Sequence, residues 1–193
     1  MRIKKEIRIL GIDDGPFTKT SSKAIIIGVI MRGGLEFDGM IKTEIEVDGL
    51  DATDKLIETI KRSKYKNELK AIMFKGVTIA GFNIVDIGAL SSALSLPVIV
   101  VSRKKPNFIR IRNALKNFDD GAERWKIIKK AGRINKLKMK NNKTIYFQFK
   151  GIDREDAKKI ILLTCTRSLI PEPLRLAHMI ASAVIKGETG GRA

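Results

Sequence analysis

The chain has 193 residues, 44% hydrophobic and 31% charged, which is enough apolar material for a buried core and too much for a disordered chain. It carries 38 Lys+Arg against 21 Asp+Glu, a formal net charge of +17, so a phosphate-rich partner is expected. No apolar run approaches the roughly 20 residues of a membrane-spanning helix, the first ten residues lack the apolar core of a signal peptide, and one cysteine, Cys165, excludes an internal disulfide and a zinc site of several thiolates; a cytoplasmic protein without membrane attachment is expected.

Ile7 to Asp13 reads as a strand entering the core, stopped by Asp14-Gly15-Pro16. Ala24 to Met31 is almost wholly apolar, the pattern of a strand buried on both faces. Arg32-Gly33-Gly34 makes a hairpin turn into a third strand, Leu35 to Val47, so three antiparallel neighbours are expected. Asp48 to Thr53 is a turn leading into a helix to about Lys64, with Leu56, Ile57 and Ile60 at helical spacing and Asp51 as its N-cap. Leu69 to Phe74 is a strand, Thr78 to Asp86 a loop, Asn83 to Leu94 a helix and Pro97 to Val101 a buried strand. From here strand and helix alternate, which implies parallel additions with right-handed crossovers. Helices are expected at Phe108 to Asn117 and Asp120 to Ala131, an outer strand at Thr144 to Phe149, and helices at Asp153 to Arg167 and Pro171 to Lys186, the last with a proline near its start. With no repeat and no linker, residues 1–193 read as a single domain ending in a loose, glycine-rich tail, Gly187 to Ala193.

The charge is concentrated. Residues 101–150 hold 16 basic and 3 acidic side chains, net +13, while the first fifty are neutral. The basic segment 103–143 contains Lys104, Lys105, Arg110, Arg112, Lys126, Lys129, Lys130 and Arg133, with Lys116, Arg124, Lys136, Lys138, Lys140 and Lys143 beside them. Solubility alone would give a mixed-sign surface; the scarcity of acids favours a nucleic-acid footprint. Trp125 and Tyr146 lie in this segment, either to pack in the core or to stack on bases.

The end of a central strand opens on the usual ligand crevice of such sheets. Two adjacent carboxylates there, Asp13 and Asp14, suit a hard divalent cation, although the same residues also make a plain Asp-Gly turn. Successive strand residues point to opposite faces, so Asp13 is the first ligand and Asp14 a second ligand or turn former. Gly81 and Asn83 suit close backbone approach to a substrate or the entry to a helix. His178, the sole histidine, shares a helix face with Arg175, with Glu172 close by at the helix start. Cys165 sits in an apolar stretch as a small hydrophobe. No Walker or dinucleotide-binding loop is present.

Four strings, Ile9 to Phe17 (ILGIDDGPF), Val47 to Thr53 (VDGLDAT), Ala80 to Asp86 (AGFNIVD) and Pro171 to Ala181 (PEPLRLAHMIA), together resemble an archaeal protein family distantly related to endonuclease V, with members described as acting at deoxyuridine. The resemblance spans nearly the whole chain. It implies an α/β, ribonuclease H-like, endonuclease V-like mixed sheet of three antiparallel strands followed by parallel ones, flanked by helices. It further implies a metal-dependent endonuclease that cleaves DNA near deaminated bases, with Mg2+ or Mn2+ as cofactor and nucleic acid, DNA ahead of RNA, as partner. Asp13 matches the family's first-strand aspartate, Asp48 or Asp51 falls near its second acid, and His178 matches its late histidine. Together with the reading of the residues this makes Asp13, Asp51 and His178 the catalytic candidates, with Lys75 placed to contact a scissile phosphate as a fixed positive charge, Asp13, Asp14 and Asp48 the metal-binding candidates, and Gly15, Gly81, Asn83, Glu172 and Arg175 the substrate-binding candidates. Phe74-Lys75-Gly76 departs from the pattern, placing a lysine where relatives carry Asp-Gly. A catalytically impaired nucleic-acid binder of the same fold is the alternative.

Overall fold

In the computed structural model, residues 3–18, 20–139 and 142–189 are described; Lys140 and the end of the tail, 190–193, lie outside them. The chain runs β1 (Arg8–Asp14), β2 (Lys23–Arg32), β3 (Glu36–Glu46), α1 (Ala52–Arg62), β4 (Leu69–Phe74), β5 (Thr78–Ile79), β6 (Asn83–Ile84), α2 (Ile87–Leu94), β7 (Val98–Ser102), α3 (Phe108–Leu115), α4 (Gly121–Lys130), β8 (Asn135–Lys138), β9 (Thr144–Lys150), α5 (Arg154–Thr164) and α6 (Glu172–Lys186). Seven strands make one mixed sheet in the order β3-β2-β1-β4-β7-β9-β8, and β5 and β6 form a separate hairpin. Among the described residues no helix is long and apolar enough to cross a membrane.

Strand alternation sorts the core onto two faces. Leu10, Ile12, Ile26, Ile30, Ile72 and Phe74 pack with Leu56 and Ile60 of α1 and Leu90 of α2 on one side. Ile9, Met73, Ile99 and Phe147 meet Ile160 and Ile161 of α5 and Leu174 of α6 on the other. α6 continues over Ile27 and Val29 of β2 through Ala177 and Ala181. β2, apolar on both faces, is therefore the internal strand its sequence implies.

Two expectations are corrected. The chain does not enter a helix at Asn83: residues 78–84 form the β5–β6 hairpin, and α2 begins at Ile87 because the Asp86 carboxylate caps it, accepting hydrogen bonds from the Gly88 and Ala89 amides at 3.0 Å each. Nor are the late strands parallel additions throughout. β4 pairs parallel with β1 and β7 with β4, but β9 is antiparallel to β7 and is not the outer strand. β8 covers it as an antiparallel edge. β8 has four residues, Asn-Lys-Leu-Lys, of which only Leu137 is buried, so period-two alternation has nothing to register there.

The approach of α6 to the sheet depends on Gly11. A Cβ at that position would lie 2.5 Å from the Pro173 carbonyl carbon and 2.6 Å from the Leu174 amide nitrogen, both backbone atoms of the first turn of α6. Gly11→Ala is therefore expected to lift α6 and to lower stability by about 1–3 kcal/mol, read as a fall in the thermal unfolding midpoint. An unchanged midpoint would show that α6 is not seated by this contact.

Candidate active site

Asp13 and His178 are 165 residues apart in the chain and meet in space, with His178 Nδ1 3.1 Å from Asp13 Oδ2. The fold brings them together through two periodicities. Ile9, Gly11 and Asp13 share the β1 face that α6 covers, and His178 lies one turn beyond Leu174 and next to Ala177, which pack on that face. Asp13 is 7% exposed, and the His178 side chain 23%, so the carboxylate is sheltered while the ring keeps an edge to solvent. The second oxygen of Asp13, Oδ1, accepts the Asp14 amide at 3.1 Å.

Asp14 points to the opposite face and accepts the Ala80 amide on Oδ2 at 3.0 Å. Burial, and then the charge of Asp13, push its carboxyl up from 3.8 to about 6. The turn it contacts is built on left-handed backbone: Ala80 has φ 48° and Gly81 φ 85°. Asp48, also left-handed at φ 57°, braces the same turn, its amide donating to the Ala80 carbonyl at 2.9 Å and its Oδ1 accepting the Phe82 amide at 2.6 Å. A Cβ on Gly81 would lie 2.2 Å from that Asp48 oxygen, which is why glycine stands there. Asp14 and Asp48 thus flank one turn from two sides.

Asp51 and Asn83 form a separate structural knot. Asp51 precedes α1 but makes no side-chain cap; its Oδ1 accepts the Glu46 amide at 3.2 Å and Asn83 Nδ2 at 2.7 Å. The orphan amide at the start of α1, Ala52 N–H, is instead capped across the chain by Asn83 Oδ1 at 3.1 Å. Asn83 is completely buried and also donates to the Glu46 carbonyl at 2.9 Å. These partners occupy both residues away from Asp13. Arg124 joins the knot rather than the outer surface: 4% exposed, it donates through Nη1 to the carbonyls of Gly49 at 3.0 Å and Phe82 at 2.7 Å, and grips Asp120 through Nε and Nη2. Nothing in a lysine/arginine-rich sequence marks one arginine as internal; Asp120 at i−4 is the nearest signal.

Glu172 is buried, with Oε2 accepting Arg175 Nε at 2.8 Å while Oε1 is sealed without a partner among the described residues. Arg175 is 30% exposed and held in that pair one turn before His178. Gly15 lets α6 pass, its absent Cβ being 3.2 Å from the Ala181 carbonyl. Cys165 is half-buried, and burial, then the Glu172 charge, push its thiol up to about 12, which leaves it an unreactive thiol. Lys75 follows the last parallel pair between β1 and β4, Ile12 with Phe74, so it stands level with Asp13 at the carboxyl ends of the two strands. It is half-buried and joined by no ion pair among the described residues.

Beyond Lys75 lies a cavity of about 170 Å³ lined by Gly76, Val77 and Thr78, the end of β7, Phe108 and Ile111 of α3, Ile128 of α4, and Tyr146 and Gln148 of β9. Sequence patterning does not announce it, because its walls come from five separate segments. Tyr146 takes part in it, while Trp125 packs edge-on against Phe108 at 5.8 Å. Lys104, Lys105, Arg110, Arg112, Lys126, Lys129, Lys130 and Arg133 are all exposed on the α3–α4 side; of these Lys130 reaches Asp86 at 3.4 Å.

Asp13 and Asp14 end β1 close enough for the charge of one to raise the carboxyl of the other, and a carboxylate pair fits Mg2+, which typically takes one or two carboxylates and completes its shell with substrate phosphate and water. It is not an all-protein cage: among the described residues no three His, Cys, Asp or Glu side chains are gathered to hold a metal ion.

A mixed sheet opening with three antiparallel strands and continuing with parallel β4 and β7, its first strand ending on an aspartate paired to a late-helix histidine, defines an α/β protein of the ribonuclease H-like, endonuclease V-like class. The family model for Endonuclease dU matches residues 5–185, and the chain belongs to that family of nuclease-like proteins. It is 52% identical over 192 residues to a UPF0215 protein of Methanosarcina mazei, covering 99% of this chain and 97% of that protein. A crystal structure of a protein of unknown function from Archaeoglobus fulgidus is similar with a TM-score of 0.84 at 38% identity, covering 93% of this chain and 99% of the other. Endonuclease V of Ciona intestinalis, crystallised with a 24mer DNA containing an inosine followed by a ribo-adenosine, gives a TM-score of 0.58 at 17% identity over 90% of this chain and 83% of its own, a likeness of fold.

The raised carboxyl of Asp14 fixes the sign of a pH effect. The folded state binds a proton more readily than the unfolded one between pH 3.8 and about 6, so in metal-free protein Asp14 destabilises the fold above that window and the cost is lifted as pH falls through it. Asp14→Asn is expected to gain stability relative to the parent as pH rises from about 4 to about 6 and to level off above, measured by urea unfolding in chelator. A flat difference across this range would show that Asp14 is not destabilised by its surroundings. Arg124→Met, which leaves the Gly49 and Phe82 carbonyls unpaired, is expected to cost about 2–4 kcal/mol in the same measurement.

Proposed function

We propose that the protein is a divalent-cation-dependent endonuclease that hydrolyses a DNA phosphodiester near a deaminated base such as deoxyuridine. The observation that carries this reading is the Asp13–His178 pair at the carboxyl end of the central strands, level with Lys75, in a chain whose α3–α4 segment exposes many lysines and arginines.

Asp13 and Asp14 would hold Mg2+ or Mn2+, with Asp48 able to join from across the Ala80–Phe82 turn. When bound, the cation neutralises phosphate charge and lowers the pKa of an attacking water. The protein's own groups do the rest. Asp13 Oδ2 accepts from Nδ1 of His178 and so fixes the ring, leaving Nε2 to exchange a proton with the attacking water or the departing oxygen. Lys75 supplies a fixed positive charge to a non-bridging phosphate oxygen where relatives of the endonuclease V type are expected to carry an acid. Arg175, kept in place by Glu172, adds positive charge one turn away. Asp51 and Asn83 contribute by holding the turn that Asp14 and Asp48 flank. The exposed lysines and arginines of α3 and α4 grip backbone phosphates. The cavity beside Gly76, about 170 Å³, has the room of five or six water molecules at about 30 Å³ each, which suits one base turned out of the stack.

A second reading, a nucleic-acid binder without catalysis, is favoured by Lys75 and by the lack of a three-donor metal cluster among the described residues. One assay separates them: cleavage of strands carrying a single deoxyuridine or deoxyinosine, with Mg2+ or Mn2+, by the parent protein and Asp13→Ala. Cleavage that falls at least about 100-fold in the variant, and about as far in His178→Ala, supports the nuclease. Tight, salt-sensitive binding with no cut strand supports the binder. In either case Lys104→Ala with Lys105→Ala is expected to weaken binding uniformly across sequences and to flatten the slope of log affinity against log salt by roughly 0.7–0.9 per lysine.

A further inference from the structure

We propose that Gln148 is the specificity-determining residue of the cavity, an amide oxygen that accepts a hydrogen bond from the ring N–H of a deaminated base; this rests on the reading of that cavity as the base site. Gln148 lines the cavity from β9 and is 6% exposed. Its Nε2 donates to the Gly132 carbonyl at 2.7 Å. A carbonyl has nothing to donate, so this contact admits only the nitrogen end of the amide and settles which end is which. The oxygen end accepts no hydrogen bond from a described residue. It is not sealed in apolar surroundings either, because the one buried side-chain polar atom without a partner among the described residues is Glu172 Oε1. Gln148 Oε1 therefore keeps some surface, on a residue that lines the cavity.

Deamination changes the polarity of a base at one ring atom. Cytosine N3 and adenine N1 are bare acceptors, whereas uracil N3 and hypoxanthine N1 carry a proton. An oriented acceptor pairs with the deaminated form, and opposes two lone pairs when the parent base enters, leaving a buried polar group unsatisfied. The neighbouring exocyclic group changes in the matching sense, from amino to carbonyl, and Thr78 and Tyr146, both on the cavity wall, bring hydroxyls able to donate to that oxygen. Thymine and guanine carry the same ring N–H with an added methyl or amino group, so Gln148 separates a deaminated base from its parent, and the apolar walls, Val100, Ile111 and Ile128, set the room that separates it from these two.

The test is equilibrium binding in chelator, by fluorescence anisotropy, to single strands that differ at one position: deoxyuridine, deoxycytidine, or N3-methyldeoxyuridine, which keeps both carbonyls and lacks the N–H. The parent protein is expected to prefer deoxyuridine over deoxycytidine by about tenfold or more and to lose that preference with the methylated base. Gln148→Met, similar in length and without the acceptor, is expected to bind all three within about threefold of one another; Gly132 is exposed, so water replaces the lost donor, and a thermal melt checks the fold. Equal binding of deoxyuridine and deoxycytidine by the parent, or an undiminished preference in Gln148→Met, overturns the proposal. So does a methylated base that the parent binds as tightly as deoxyuridine, a result that needs no variant. Discrimination without cleavage in metal would overturn the nuclease reading while leaving Gln148 its role; cleavage with no discrimination would do the reverse.

Discussion

The seating of α6 on the bare backbone of β1 is the constraint on which the site depends. Packed elements normally stand about 8–10 Å apart because side chains fill the gap. Here Gly11 removes the side chain under Pro173 and Leu174, and Gly15 does the same under Ala181. The helix approaches β1 closely at these two points, and between them His178 comes within hydrogen-bonding distance of Asp13. Glu172 is buried at the helix start and pairs with Arg175 from the next turn.

Around that pair, polar side chains differ in how fully their hydrogen-bonding capacity is taken up. Asp51, Asn83 and Arg124 have their polar atoms committed to backbone groups, to one another or, for Arg124, to the Asp120 carboxylate, tying the end of β3, the start of α1, the hairpin of β5 and β6 and α4 into one corner. Asp13 and Asp14 are less fully satisfied, and Asp14 carries the electrostatic strain of the pair.

Most of the fold is legible in the sequence because its elements bury whole faces. β2 announces itself by an unbroken apolar run, β4 by its bounded apolar stretch, and α6 by proline at one end and glycine at the other. The three antiparallel strands and the parallel pairing of β1, β4 and β7 follow. What sequence does not reveal is whatever depends on partners far along the chain. Asn83 reads as a helix entry because short polar residues open helices; in the structure it caps a different helix, α1, from outside. Arg124 reads as one more surface cation, since charge counting does not distinguish an arginine with internal carbonyl partners from one facing water. The direction of β9 is hidden because four residues of β8, with one buried leucine, are enough to turn the chain back. Asp13 and His178 are nameable as candidates from motif and resemblance, whereas their meeting is a property of packing alone.

The long stretch of sequence between the aspartate and its histidine also bears on how the molecule comes into being. The acid lies on the first strand and the imidazole on the last helix, so the pair closes across 165 positions. Contacts of such separation carry a large loop-closure cost, which the sheet that supports them must offset. During synthesis the growing polypeptide holds the acid, and then the cationic helices, well before α6 has emerged. Such a nascent chain carries its cationic helices while still lacking the imidazole, and the pair can close only once α6 has been made.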